Sequence, residues 1–428
     1  LAVVDVATSL NGIWKPMNIL LAHNNFPGQF HRLAVELAAD PANKVLFLSH
    51  YRRKDLNVPK VEWRQVPLPA EENTPSSPRK KYLTLLAQGE RFADSMVALR
   101  KEGYRPDLIY GHVGFGCCIY APDIFPDAAH AGFFEWYYSA DADTRFFAGN
   151  KPVALNTRAE NRQSNMCTLS ALKECVLGIA PTEWQRIQHP PEFLHKIHTL
   201  HDGIDTQFFS PQANKTPLKL KSLDLSQAEE IVTYATRGLE PYRGFPTFYR
   251  SLPALLAARP KAHVVIMADD RAAYSGKRKD GKTWKDVLRE EVHVDESRVH
   301  FIPFQPYDQY RALLRASDVH VYLTAPFVLS WSMLEAMSCG CLLVASNTEP
   351  VREVVQDGVN GFLADFWDHE ALARRVVACL ANRAKLDQVR ANARKTILAR
   401  YALHKLLPRH VALLKAACYL NQAQFPKR

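Results

Sequence analysis

The sequence predicts an α/β protein made of two doubly wound domains, each a mostly parallel sheet covered by helices. Three observations carry this. Short runs rich in Val, Leu and Ile alternate with helical stretches, as strands buried on both faces do. The alternation stops in a stretch rich in Pro, Lys, Ser and Gln over 210–228, and then restarts. The chain has 428 residues, enough for two such domains with cores of their own.

In order, residues 1–16 read as an N-terminal extension without the basic and apolar regions of a signal peptide. The first domain spans 17–209. Its strands are expected at Met17–Ala22, Val45–Leu48, Val61–Val66, Leu108–Tyr110, Ala131–Phe134, Gly178–Ala180 and Lys196–Leu200. Helices are expected at Phe30–Ala39, Tyr82–Arg100 and Arg158–Val176. A linker covers 210–230. The second domain spans 231–400, with strands at Ile231–Ala235, His263–Ala268, Val299–Ile302 and Val319–Leu323. Its helices are expected near Phe245–Ala257, Trp284–Glu291, Tyr307–Ala316, His369–Ala381 and Ala384–Arg400. Residues 401–428 hold a last helix, Leu403–Ala417, expected to cross back onto the first domain. Ligands of such sheets sit at the carboxyl ends of the strands, and two facing sheets would put the site in a cleft between them.

The densest stretch runs from Asp318 to Ser346: an apolar strand, a loop, a compact helix, then another apolar strand. Ser330 or Ser332 can cap the helix, Ser332 with Glu335 fits a capping box, and Gly340 fits the left-handed end. A helix start facing the carboxyl end of a strand is a ready phosphate site.

Composition is ordinary for a globular chain, 47% hydrophobic and 23% charged. No apolar run approaches the ~20 residues that span a bilayer. The eight cysteines lack the paired C-x-x-C spacing of a zinc site and read as free thiols of a reducing cytoplasm. A net charge of +10 permits an anionic partner, but no nucleic-acid motif accompanies it. The clusters Arg52-Arg53-Lys54, Arg79-Lys80-Lys81 and Lys277-Arg278-Lys279 read as solvated loops.

Several groups carry candidate chemistry. Arg237 and Arg243 lie in a glycine-containing loop after a strand and can close on a diphosphate; the bland alternative is a surface pair, one of them bonded to Glu240. Glu335 can accept from two sugar hydroxyls or serve only the capping box. Gly28, after Pro27, lets the backbone approach a ligand or simply makes a turn. Glu135 sits in Phe-Phe-Glu-Trp-Tyr-Tyr, with Trp136 and Tyr137 beside it; aromatic faces and a carboxylate suit a sugar, or the Glu merely borders an aromatic core. His112 follows a strand and is a catalytic or a structural histidine. Asp141-Ala142-Asp143 resembles a metal-binding pair only superficially. G-x-G-x-x-G, P-loop and G-x-S-x-G signatures do not occur.

Together these motifs resemble the family 4 retaining glycosyltransferases of the GT-B fold, from Met17 to the final helix and most strongly over Ile231–Phe362. Arg237 and Arg243-Gly244 look like the family's Arg and Lys on the donor diphosphate, with Arg for Lys and one residue inserted. The segment Phe301-Ile302-Pro303-Phe304-Gln305 is similar to the one that meets the base. Glu335-Ala336-Met337 with Gly340 matches the core whose Glu contacts the ribose, and Ser330, Trp331 and Ser332 align with the phosphate-binding helix start. Glu349-Pro350, Asp357-Gly358-Val359-Asn360-Gly361, Thr182 and Gly203-Ile204-Asp205 continue the pattern. The chain departs from it twice. The family pairs two glutamates with seven residues between them, and the first position is Phe327 here. Glu135 stands where many relatives carry a His.

The resemblance implies transfer of a sugar from a nucleotide-sugar to a hydroxyl of a saccharide, lipid-linked or other glycan acceptor, with retention and without metal or cofactor. Glu135, Arg237 and Arg243 would be catalytic. Gly28, Phe304, Gln305, Phe327, Ser330, Trp331, Ser332 and Glu335 would bind the donor, and His112, Trp136 and Tyr137 the acceptor. The expected location is cytoplasmic, with the basic charge permitting peripheral contact at an anionic inner membrane face. The alternatives are a non-catalytic or partner-dependent nucleotide-sugar-binding subunit and a sugar-nucleotide epimerase.

Overall fold

The computed structural model describes residues 16–424 except 54, 71–77 and 213–216, so nearly all of the N-terminal extension, the last residue of the first basic cluster and part of the expected linker lie outside the described residues. The chain forms two compact units. The first runs to Gly203 and takes back the chain from His404 onward; the second is Ile204–Leu403.

The first unit holds a seven-stranded parallel sheet: β1 (Asn18–Ala22), β2 (Lys44–Ser49), β3 (Val61–Gln65), β4 (Leu108–His112), β5 (Ala129–Phe133), β6 (Leu177–Ala180) and β7 (Ile197–Thr199). Their order is β3-β2-β1-β4-β5-β6-β7. The chain moves outward from β1 through β2 and β3, then returns to the other side of β1 as β4, so the topological switch lies between β1 and β4. The apolar run of β1 is continuous because both faces are covered. Ile19 and Leu21 join the core with Leu33 and Leu37 of the helix His31–Ala39 and with Leu406, Leu413 and Leu414 of the last helix, Leu403–Gln424. Leu20 and Ala22 face Phe92, Met96 and Leu99 on the other side.

The second unit repeats the plan with six parallel strands: β8 (Glu230–Gly238), β9 (Ala262–Asp269), β10 (Val299–Ile302), β11 (Val319–Tyr322), β12 (Leu342–Ser346) and β13 (Phe362–Ala364). Their order is β10-β9-β8-β11-β12-β13, with the switch between β8 and β11.

Three local expectations change. The long helix over Arg158–Val176 is two helices, Leu155–Ser164 and Met166–Glu174, broken at Asn165. The Asn165 amide accepts from Tyr138 N–H (2.9 Å) and donates to Tyr138 C=O (2.7 Å), a long-range tie that periodicity cannot reveal. The stretch 210–230 contains an antiparallel hairpin, Leu218–Leu220 with Leu223–Leu225, and Leu218, Leu220 and Leu225 are buried in the second unit's core. The helix Trp331–Ser338 is capped by Ser330, whose hydroxyl accepts from Ser332 N–H, so Ser332 is inside the helix and forms no capping box with Glu335. No helix among the described residues is long and apolar enough to cross a membrane.

Candidate functional site

Each unit gathers polar side chains at its own switch point, where the carboxyl ends of adjacent strands diverge. In the second unit the loop after β8 meets the loop after β11. A pocket there is lined by Thr236, Arg243, Tyr322, Ser330 and Ser332, among others. Ser330 N–H donates to the Tyr322 hydroxyl (2.8 Å), which ties the helix start to the end of β11.

The two arginines behave differently. Arg237 is exposed and has no partner among the described residues. Arg243 is buried at 4% exposure. Its Nη1 donates to Thr324 Oγ1 (2.7 Å), Val328 C=O (2.8 Å) and, more weakly, the Tyr322 hydroxyl (3.3 Å). Its guanidinium lies 4.8 Å from the Tyr274 ring. So Arg243 already anchors the loop 324–328, where the spacing alone left the two arginines as either diphosphate ligands or a surface pair. Glu240 makes no hydrogen bond to an arginine among the described residues: its buried carboxylate accepts from Tyr274 N–H (2.9 Å) and Ser275 N–H (2.6 Å). That clamp holds Tyr274 in place over Arg243.

Phe327 is buried and meets Tyr242 and Tyr274 edge to face, with centroids at 5.2 and 5.4 Å. The ring thus belongs to an aromatic trio. Glu335 is buried at 6% exposure. Burial pushes its carboxyl up to about 7, and the Tyr310 hydroxyl pulls back part of that rise. Phe304 is exposed just beyond β10, and Gln305 donates to Pro303 C=O (2.9 Å). Trp331 is half-buried at the helix start.

In the first unit the cluster forms where β1, β4 and β5 end. Glu135, two residues beyond β5, receives Gln29 Nε2 on Oε1 (3.0 Å) and His112 Nε2 on Oε2 (3.1 Å). Gln185, buried beneath, donates to the Glu135 backbone carbonyl (2.6 Å). Burial alone would raise the Glu135 carboxyl. The hydrogen bond and charge of His112, with the Gln29 amide, overcome it and hold the carboxyl down at about 2. Glu135 is therefore ionised and acceptor-only, and His112 Nε2 must be the donor. His112 is stacked on Phe115 at 4.0 Å.

Gly28 has φ 53°, and a Cβ there would come within 2.6 Å of the His23 ring. Its bareness lets the loop lie on that histidine. Trp136 is buried, and Tyr137 is half-buried with its ring 5.6 Å from His189. Asp141 is exposed and Asp143 buried. No group of three metal-ligating side chains occurs among the described residues.

Two family models divide the chain between them: "Glycosyl transferase family 4 group" over residues 41–209 and "Glycosyl transferases group 1" over residues 217–396. The chain belongs to the family 4 glycosyltransferases. The chain is 25% identical over 186 residues to D-inositol 3-phosphate glycosyltransferase of Segniliparus rotundus, a match covering 44% of this chain and 39% of that protein. Its fold is similar to Anabaena HepE solved with UDP-glucose, at 18% identity and TM-score 0.69, over 94% of this chain and 100% of that one. Sucrose-phosphate synthase from Thermosynechococcus elongatus is similar at 17% identity and TM-score 0.67, over 93% and 98% of the two chains. These likenesses show the GT-B fold. The chain spans roughly two fifths to a half of the length of the first curated relatives that it matches.

Reasoning from sequence passed over Gln29, His23, Gln185, Thr324 and Tyr274. Gln29 carried one usable signal, its place in the loop His23–Gln29 after the first strand.

Proposed function

We propose that the chain transfers a glycosyl group from a nucleoside-diphosphate sugar to an acceptor hydroxyl with retention of configuration. The observation that carries this is the second unit's pocket, where an arginine-bearing loop and a capped helix start meet at the switch point. A departing nucleoside diphosphate develops negative charge. Arg237, free to turn toward it, and the positive end of the helix Trp331–Ser338 stabilise that charge, with no metal or cofactor required. Arg243 acts by fixing the loop 324–328. Phe304 offers a face to the base with Gln305 beside it, and Glu335 accepts ribose hydroxyls once ionised. Ser330, Trp331 and Ser332 surround the phosphates.

The Phe327 ring, packed against Tyr242 and Tyr274, cannot accept a hydrogen bond as a carboxylate does. It suits a donor sugar that is apolar at that edge, as a deoxyhexose is. A preference for fully hydroxylated hexose donors would refute this part. In the first unit Glu135 takes the acceptor hydroxyl, with His112, Trp136 and Tyr137 around it. A saccharide or lipid-linked acceptor fits this chemistry. The +10 charge favours work in the cytoplasm at the face of an anionic membrane.

The test incubates purified protein with a panel of nucleotide-sugars and a glycan extract in the presence of a chelator, and follows the product's anomeric proton by NMR. A retained anomer made under chelation is expected. Inversion, or strict metal dependence, overturns the proposal. Phe327 in the place of an acid favours one second reading, a nucleotide-sugar-binding subunit without its own activity; binding without transfer to any acceptor would select it. Donor turnover with no acceptor would select an epimerase.

A further inference from the structure

We propose that Gln29 is a positioning residue that commits Glu135 to receive an uncharged hydroxyl. The inference rests on the reading of Glu135 as the acceptor-binding group. It starts from a chain of hydrogen bonds with one allowed direction. Asn25 N–H donates to His23 Nδ1 (2.9 Å), so in the neutral ring the proton sits on Nε2. His23 Nε2 then donates to Gln29 Oε1 (2.7 Å). With its oxygen engaged, the Gln29 amide must turn its NH2 to Glu135 Oε1 (3.0 Å). A flipped amide would set oxygen against carboxylate and nitrogen against a donor. The backbone thus fixes a tautomer, the tautomer fixes an amide, and the amide fixes the carboxylate.

His23 keeps its part because burial, then the charge of His112, push its ring down to about 3. The groups acting electrostatically on the Glu135 carboxylate are His112 and His23; Tyr138 feels its charge in turn. Gln29 and His112 occupy two of the roughly four lone-pair positions of the carboxylate. The side chain keeps 28% of its surface. An incoming O–H donates to an open position. A phosphate or carboxylate at the same point would meet like charge, so the ligand class is a neutral polyol or saccharide hydroxyl.

The test is a carboxyl-carbon NMR titration of the full chain labelled at glutamate, for wild type, Gln29→Met and Gln29→Glu. The Glu135 resonance of wild type is expected to stay flat above about pH 4. Gln29→Met keeps the shape and removes the amide; the midpoint is expected to rise by about one to two pH units. Gln29→Glu sets two carboxyls in contact, and one of them is expected to titrate above about pH 5. The acid limb of kcat/KM should move with these midpoints. Folded variants with an unmoved Glu135 midpoint overturn the proposal, whatever their activity. If Gln29→Met does not fold, Gln29→Glu decides. The titration needs no substrate: shifted midpoints in a protein that transfers nothing would uphold the chain of bonds while overturning the acceptor role, and with it the hydroxyl-receiving half of this inference.

Discussion

Replacing Arg243 with Met should damage the second unit's loop architecture before it damages nucleotide contact. Methionine keeps most of the volume and removes the charge and the donors. Val328 C=O loses its Arg243 partner at 2.8 Å, and a buried orphan acceptor costs about 1–3 kcal/mol. Thr324 keeps a bond to Ala325 C=O and Tyr322 keeps the one from Ser330 N–H, so each loses only part of its satisfaction. The Tyr274 ring gives up a cation at 4.8 Å, about 1–2 kcal/mol when desolvated. Against these losses, the variant no longer buries a guanidinium. The net is about 3 kcal/mol of destabilisation. Hydrogen exchange across Val319–Ser338, followed by mass spectrometry, reads it as about 100-fold faster opening. A thermal melt should fall by about 6–12 °C if the second unit melts as one body. Wild-type exchange and melting, combined with lost nucleotide affinity, would refute the anchoring role and return Arg243 to direct phosphate binding.

Arg237→Ala is the complement: it should cut nucleotide affinity by about 1.5–3 kcal/mol in calorimetry and leave the melt unchanged. Unchanged affinity would remove Arg237 from the phosphate site. Glu135→Gln should lower turnover more than donor binding, and equal loss in both would count against a chemical role. Glu135 also sets an acid limit. Its carboxyl is depressed from 4.5 to about 2, so its contribution is full above pH 4.5 and is lost as pH falls through 2, about 3 kcal/mol in all. Glu335 works in the opposite sense. Its carboxyl is raised from 4.5 to about 7, so the stability it confers in protonated form is present below 4.5 and is lost as pH rises through 7. Glu335→Gln should therefore gain about 3 kcal/mol on wild type between pH 4 and pH 8 in denaturant titrations. Parallel stability curves for the two proteins would contradict this.

Strands of both sheets were legible because apolar runs such as Ile19–Ala22 and Leu342–Ala345 are buried on both faces and need no partner to be recognised. The helix Trp331–Ser338 was legible too, though not which serine capped it, since Ser330 and Ser332 differ only in backbone conformation. Less was visible where one residue answers to another far away in the chain. Asn165 breaks a helix through a partner 27 residues distant, and Gln29 reaches a carboxylate 106 residues away. Arg237 and Arg243 looked alike because spacing says nothing of burial. The hairpin Leu218–Leu225 hid in a stretch whose lysines and serines outnumber its few buried leucines.

Gly28 gives the first unit an unusual genetic signature. The residue has no side chain to contribute, yet adding one methyl would drive an atom to 2.6 Å from the His23 ring. The ring would have to swing away, Gln29 would lose its latch, and Glu135 would be left with His112 alone. An allele with Ala at this position should thus read as a charge defect, with the acid limb displaced, more than as a missing contact. Its suppressors should map to His23, where a smaller side chain that still donates to the Gln29 amide oxygen would restore both space and direction.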